Sequence, residues 1–235
     1  MSGSVPRGGL SPPTMLIAAL YHGRRYNGLL ARMASIVAYT ETRDALITAP
    51  SRFVLAEARR IADDLGATVY ALLALGPVPP EGLAALAGEV GTAGADRILC
   101  CADEALAGPS SDATHGPLLI AVAERLRPSL VLFPERGTGL QLGRPLAERM
   151  GAAFLPDSSI EILAATDAEL AQVVVRCATD DHGGERTVKV HETERTVVVE
   201  LRAGYAPPAL GEPASEMEML SYPASSTTES KPPRG

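Results

Sequence analysis

The chain has 235 residues, of which 46% are hydrophobic and only 4% aromatic, with no tryptophan. That length suits one sizeable domain with appendages, its core built from Ala, Leu, Val and Ile. A net charge of −7 and the lack of an aromatic platform argue against a nucleic-acid partner, and no apolar run is long enough to span a bilayer.

Residues 1–31 read as a flexible leader. Residues 1–40 hold Arg7, Arg24, Arg25 and Arg32 and no acidic residue, a composition that transit peptides share. Ala34–Tyr39 reads as an apolar strand, and residues 40–50 as a polar connection. Ser51 is placed as the N-cap of a helix in which Val54, Leu55, Ala58, Ile61, Ala62 and Leu65 recur at helical spacing. Thr68–Leu75 is a second strand, and a helix spans about 81–93. Residues 97–102 form a third strand. A loop rich in Gly, Ser and Pro follows to about Gly116, with Pro117 in the first turn of a helix that ends near Leu126. The fourth strand, Leu130–Phe133, leads into a helix that reaches Met150. Strand and helix alternate four times. The pattern predicts a doubly wound, mostly parallel α/β sheet with helices on both faces.

After Gly151 the texture changes to short β-branched runs at 160–163, 170–177, 186–191 and 196–201. They are expected to form an antiparallel extension of one sheet edge, with Asp181-His182-Gly183-Gly184 as a hairpin turn. The apolar side of this extension, including Val173, Val175, Val197 and Val199, is expected to be a subunit interface. The domain is thus placed at 32–205, and residues 206–235, rich in Pro, Ser, Glu and Thr, read as a disordered tail.

Cys100 and Cys101 are adjacent on a strand, so their side chains point to opposite faces and cannot share a metal or form an ordinary disulfide. Both read as buried small hydrophobes. A reducing, cytoplasmic compartment is the expectation that follows.

The most informative segment is Leu130-Val131-Leu132-Phe133-Pro134-Glu135-Arg136-Gly137-Thr138-Gly139. An apolar run ends in a glycine-rich turn, and a helical pattern begins at once. In open α/β sheets this edge is where ligands sit. The amides of Gly137, Thr138 and Gly139 are candidates to cradle a phosphate, with Arg136 or Arg144 adding charge and Glu135 opposing it. A turn that only reverses the chain is an equal reading. Thr40 and Glu41, at the end of the first strand, should lie beside this turn, either contacting a ribose or capping a loop. His115, His182 and His191 read as solvent-exposed. No nucleophile elbow, carboxylate pair or metal-ligand spacing stands out, so an electron-carrier component is expected rather than a self-sufficient enzyme.

Several motifs in order carry a resemblance. They are Glu57-Ala58-Arg59-Arg60-Ile61-Ala62-x-x-Leu65-Gly66-Ala67-x-Val69, then Gly94-Ala95-Asp96-Arg97-Ile98-Leu99, then Leu130-Val131-Leu132 with Thr138-Gly139-x-x-Leu142, and Ala147-x-Arg149-x-Gly151-Ala152 with Asp157. Over about residues 34–207 the chain resembles the N-terminal domain of the α subunit of electron transfer flavoproteins, a fold of the adenine nucleotide α-hydrolase-like class. Leu140 stands where that family usually has Arg, and Arg144-Pro145 where it has Pro-Arg. The family's FAD-holding second half is not recognised in the chain. The resemblance therefore implies a scaffold for flavin-based electron transfer. FAD would be present only in an assembly with a β-type subunit or a detached FAD domain, making a hetero-oligomer. The alternative is an adenine-nucleotide-binding regulatory module resembling universal stress proteins, with AMP as its ligand. That group's G-x-x-G-x9-G-[ST] pattern is not reproduced, since Leu142 stands three residues after Gly139.

Overall fold

The computed structural model describes residues 35–135, 137–163, 172–179, 184–190, 196–202, 204 and 216–223. The leader expected at 1–31, the turn residues Asp181–Gly183, and His182 and His191 lie outside the described residues.

Strands β1 (Ser35–Thr40), β4 (Thr68–Leu75), β5 (Arg97–Ala102) and β6 (Leu130–Phe133) stand where the four apolar runs were read. Each alternates with a helix: α1 (Ala49–Leu65), α2 (Pro80–Thr92), α3 (Asp112–Leu126) and α4 (Arg144–Met150). A small hairpin, β2 (Thr42–Arg43) and β3 (Leu46–Ile47), precedes α1. After α4 come β7 (Ala153–Leu163), β8 (Gln172–Thr179), β9 (Gly184–Lys189), β10 (Val197–Leu201) and β11 (Met217–Met219).

The main sheet has nine strands in the order β11-β5-β4-β1-β6-β10-β7-β8-β9. Every neighbouring pair from β11 to β7 is parallel, and β8 and β9 add the antiparallel extension. The fold is therefore the doubly wound α/β sheet that the alternation predicts. One face packs Ile36, Ala38, Leu73 and Ile98 under α1 and α2, and the other packs Val37, Leu72, Leu99 and Val131 under α3 and α4. Period-two alternation divides the strand side chains between these two cores. Cys100 joins the first and Cys101 the second, and both thiols are free and buried.

Three readings are corrected. The run at 196–201 is not part of an antiparallel extension: β10 slots between β6 and β7, parallel to both. All of its residues are buried, the pattern of a strand covered on both faces. The expected interface is core. Val173, Val175, Val197 and Val199 are each at most 1% exposed and pack with the residues under α1. Within the segment read as a tail, β11 pairs with β5, and Leu220 and Tyr222 pack into the second core.

Helix starts also differ from the sequence reading. The cap of α1 is Thr48, whose hydroxyl accepts the Ser51 amide, and Pro50 sits in the first turn. Ser51 itself is fully buried and accepts the Glu41 amide at 2.8 Å. α3 begins five residues before Pro117, because Ser111 and Thr114 close a capping box there. Asp96 explains part of the Gly-Ala-Asp motif. Its carboxylate accepts the Val69 amide at 2.8 Å and Arg59 at 2.7 Å, pinning the start of β4 to α1.

Candidate functional site

The strand order reverses between β1 and β6, since β4 and β5 lie on one side of β1 and β6 and β10 on the other. The loops leaving β1 and β6 therefore face each other across the crevice where such sheets bind ligands. The structure brings Glu41 and the turn together here. The Thr138 hydroxyl donates to the Glu41 carboxylate. Thr40 does not join them: it is 1% exposed, and its hydroxyl turns back to the Ala38 carbonyl at 3.2 Å. Arg136 lies outside the described residues. Arg144 sits over the Phe154 ring at 5.6 Å.

The turn does not lead straight into an α-helix. Residues 139–143 form a π-helical turn before α4 begins. Such wide turns relieve crowding or admit an inserted group. Here the inserted group is Glu200, the one charged residue of β10. A Cβ added to Gly139 would lie 2.5 Å from the Glu200 Cβ and Cγ, and one on Gly143 would lie 3.1 Å from the rings of Phe133 and Phe154. Glu200 is 5% exposed, and the backbone amides of Gly137 and Asp157 lie close enough to its carboxylate to favour the charged form. Burial raises its carboxyl above the usual value, and the nearby charges of Asp157 and Glu135 add to that. One carboxylate oxygen of Glu135, Oε2, is buried and has no hydrogen-bond partner among the described residues.

On the β4 side of Glu41 lies a cavity of about 420 Å³. Its floor holds Tyr39, Ser110 and His115, and the β2–β3 hairpin lies over it. Asp44 and Ala45, at φ of 52° and 60°, make the tight turn, while the Ile47 amide donates to Glu89 of α2 at 3.1 Å. The floor is a chain of polar groups. Tyr39 Oη is 3.4 Å from Ser110 Oγ, Ser110 Oγ is 3.5 Å from His115 Nε2, and His115 Nδ1 is 2.7 Å from Thr114 Oγ1. The Tyr39 ring also packs on Phe133 at 5.4 Å.

His115 corrects the reading of exposed histidines, since it is 2% exposed. Burial lowers its basicity and pushes the Tyr39 phenol up to about 12, so near neutral pH the floor offers hydrogen bonds without charge. Ser110 is not an activated nucleophile, because the imidazole beside it is oriented by a threonine hydroxyl rather than a carboxylate. The Cys100 thiol is pushed up to about 11 by burial and is likewise unreactive. Among the described residues no group of three or more His, Cys, Asp or Glu is placed to hold a metal.

The sequence reading missed this cluster because Tyr39 stands 71 residues before Ser110 and meets Ser110 and His115 only through the sheet order. Glu200 did leave a signal: it is the one charged residue inside an otherwise apolar run.

A family model described as the electron transfer flavoprotein domain matches residues 36–228. The chain belongs to that family. No curated protein matched it. The match runs past β11, so this edge strand of the main sheet falls inside the family region. The family is associated with flavin. The turn at 137–139 does not fit a phosphate-bearing cofactor such as FAD or AMP, because the Glu200 side chain fills the space beside Gly139 and its carboxylate faces the Gly137 amide, with Glu135 close by. Among the described residues no helix is long and apolar enough to cross a membrane.

Proposed function

We propose that this electron transfer flavoprotein domain is a scaffold subunit that carries no flavin of its own and docks a flavin-carrying partner, either a β-type subunit or a detached FAD domain. The observation that carries this reading is the character of the C-terminal sheet edge. Where a phosphate cradle would be needed, a buried carboxylate fills the turn, while two leucines face solvent in the flanking loops. Leu46, in the hairpin after β1, is 59% exposed, and Leu140, in the turn after β6, is 45% exposed. Large apolar side chains left exposed beside a polar crevice mark partner contacts. The partner would supply the electron-transfer chemistry, and this chain would supply orientation and docking.

The test is co-purification of the chain with a co-expressed candidate partner. The Leu46→Asp, Leu140→Asp double variant should fold as the parent does and lose the partner. Retention of the complex by the folded variant would overturn the assignment of this edge.

A second reading, the adenine-nucleotide module, is favoured only by the cavity over Tyr39, Ser110 and His115. It is large enough for a nucleoside-sized ligand. It predicts saturable binding of AMP, which calorimetry on the isolated chain would detect.

A further inference from the structure

Glycine-rich turns at this sheet edge are usually explained by the approach of a ligand's phosphate. Here Gly139 and Gly143 face other occupants, while nothing lies within 4 Å of a Cβ added at Gly137. The space beside Gly139 is taken by the Glu200 side chain at 2.5 Å from an added Cβ, and the space beside Gly143 by two phenyl rings at 3.1 Å. The Gly137 amide lies near enough to the Glu200 carboxylate to favour its charge, and this side chain, from a core strand, is 5% exposed. The chain thus brings its own anion to the place where a phosphate would otherwise lie.

We infer that Glu200 is a built-in occupant of the 137–139 turn and a specificity-determining residue that closes this sheet edge to phosphate. Two effects act together. The side chain fills the volume, and its charge, with that of Glu135 bearing on the same spot, repels a second anion; Asp157 adds less, because its carboxylate is paired with Arg202 at 3.0 Å. A ligand or partner meeting this edge must therefore present uncharged or cationic groups to it. The inference does not depend on the docking of a flavin-carrying partner, because it concerns what the turn rejects. It does bear on the nucleotide reading: a nucleotide seated in the cavity would have to direct its phosphate away from the turn.

The test uses the full chain and inorganic phosphate as the probe, with AMP in a second series. The readout is the amide resonances of Gly137, Thr138 and Gly139. In the unaltered protein these resonances should not move with phosphate. Glu200→Ala should make them respond saturably, with an apparent affinity at least about tenfold tighter than in the parent, because charge-assisted amide contacts become available. Glu200→Gln, which fills the same volume, should stay closed. Saturable phosphate shifts in the unaltered protein would overturn the inference, and so would a folded Glu200→Ala variant that is no more phosphate-sensitive than the parent.

Should the alanine variant not fold, the pH dependence of the unaltered protein decides. The Gly137 and Asp157 amides should follow one titration lying above the ordinary glutamate value of 4.5, and that titration should vanish in Glu200→Gln. Amides that ignore this titration would show that Glu200 does not occupy the turn.

Discussion

Thr138 gives its hydroxyl proton to the carboxylate of Glu41, so the turn after β6 is fastened to the end of β1 across the point where the sheet order reverses. Glu41 also lines the neighbouring cavity. One side chain therefore touches both halves of the C-terminal edge. Its own backbone amide is held by the buried Ser51 hydroxyl at 2.8 Å, which limits how far it can swing.

Thr138→Val keeps the shape of the side chain and removes this bond. The expected cost is about 1 kcal/mol of stability, the usual net value of one hydrogen bond. Amide exchange should quicken at the turn and stay unchanged in β8 and β9. Unaltered exchange at residues 137–141 would mean that the bond does not hold the turn.

Gly139 and Gly137 should respond differently to alanine. At Gly139 the new methyl meets Glu200, and the expected loss is about 1–3 kcal/mol from overpacking. At Gly137 nothing lies within 4 Å, but φ is +94°, so the loss of about 1–2 kcal/mol comes from the backbone alone. Urea denaturation of Gly139→Ala in a Glu200→Ala background should recover part of the loss, whereas Gly137→Ala should gain little from it. Equal coupling at both positions would contradict the contact between Gly139 and Glu200.

Much of the fold could be read from the sequence because parallel strands buried on both faces leave unbroken apolar runs, as at Leu130–Phe133. β10 has the same signature, Val197-Val198-Val199-Glu200-Leu201, but its place between β6 and β7 depends on long-range pairing that periodicity does not encode. The turn at 137–139 and Glu41 could be placed at one site because the strand order of a doubly wound sheet predicts their meeting. The buried cluster of Tyr39, Ser110 and His115 could not, since a histidine on a helix looks alike in sequence whether it faces a cavity or water.

Stability should depend on pH through His115. Burial holds this imidazole below its ordinary 6.5 in the folded chain. As pH falls, the unfolded chain binds the proton first, so protonation favours unfolding. The contribution from neutral His115 is complete above 6.5 and is lost as pH drops below that value toward the folded pKa. Urea midpoints measured through this range should show the loss, and His115→Gln should flatten it. A midpoint curve identical in parent and variant would contradict a buried neutral imidazole.

Val175 is fully buried between the antiparallel extension and the elements under α1. Val175→Asp should therefore destabilise the chain by several kcal/mol and leave little folded protein, because an unpaired carboxylate would enter the core. A well-folded variant that had lost only a partner would restore the extension as an interface.

The absorption spectrum of the purified chain, alone and after co-expression with a flavin-carrying partner, tests the scaffold reading most directly. The chain alone should be colourless, with one flavin per complex when the partner co-purifies. Stoichiometric flavin bound to the isolated chain would contradict it, as would a chain that stays monomeric and colourless beside its cognate partner.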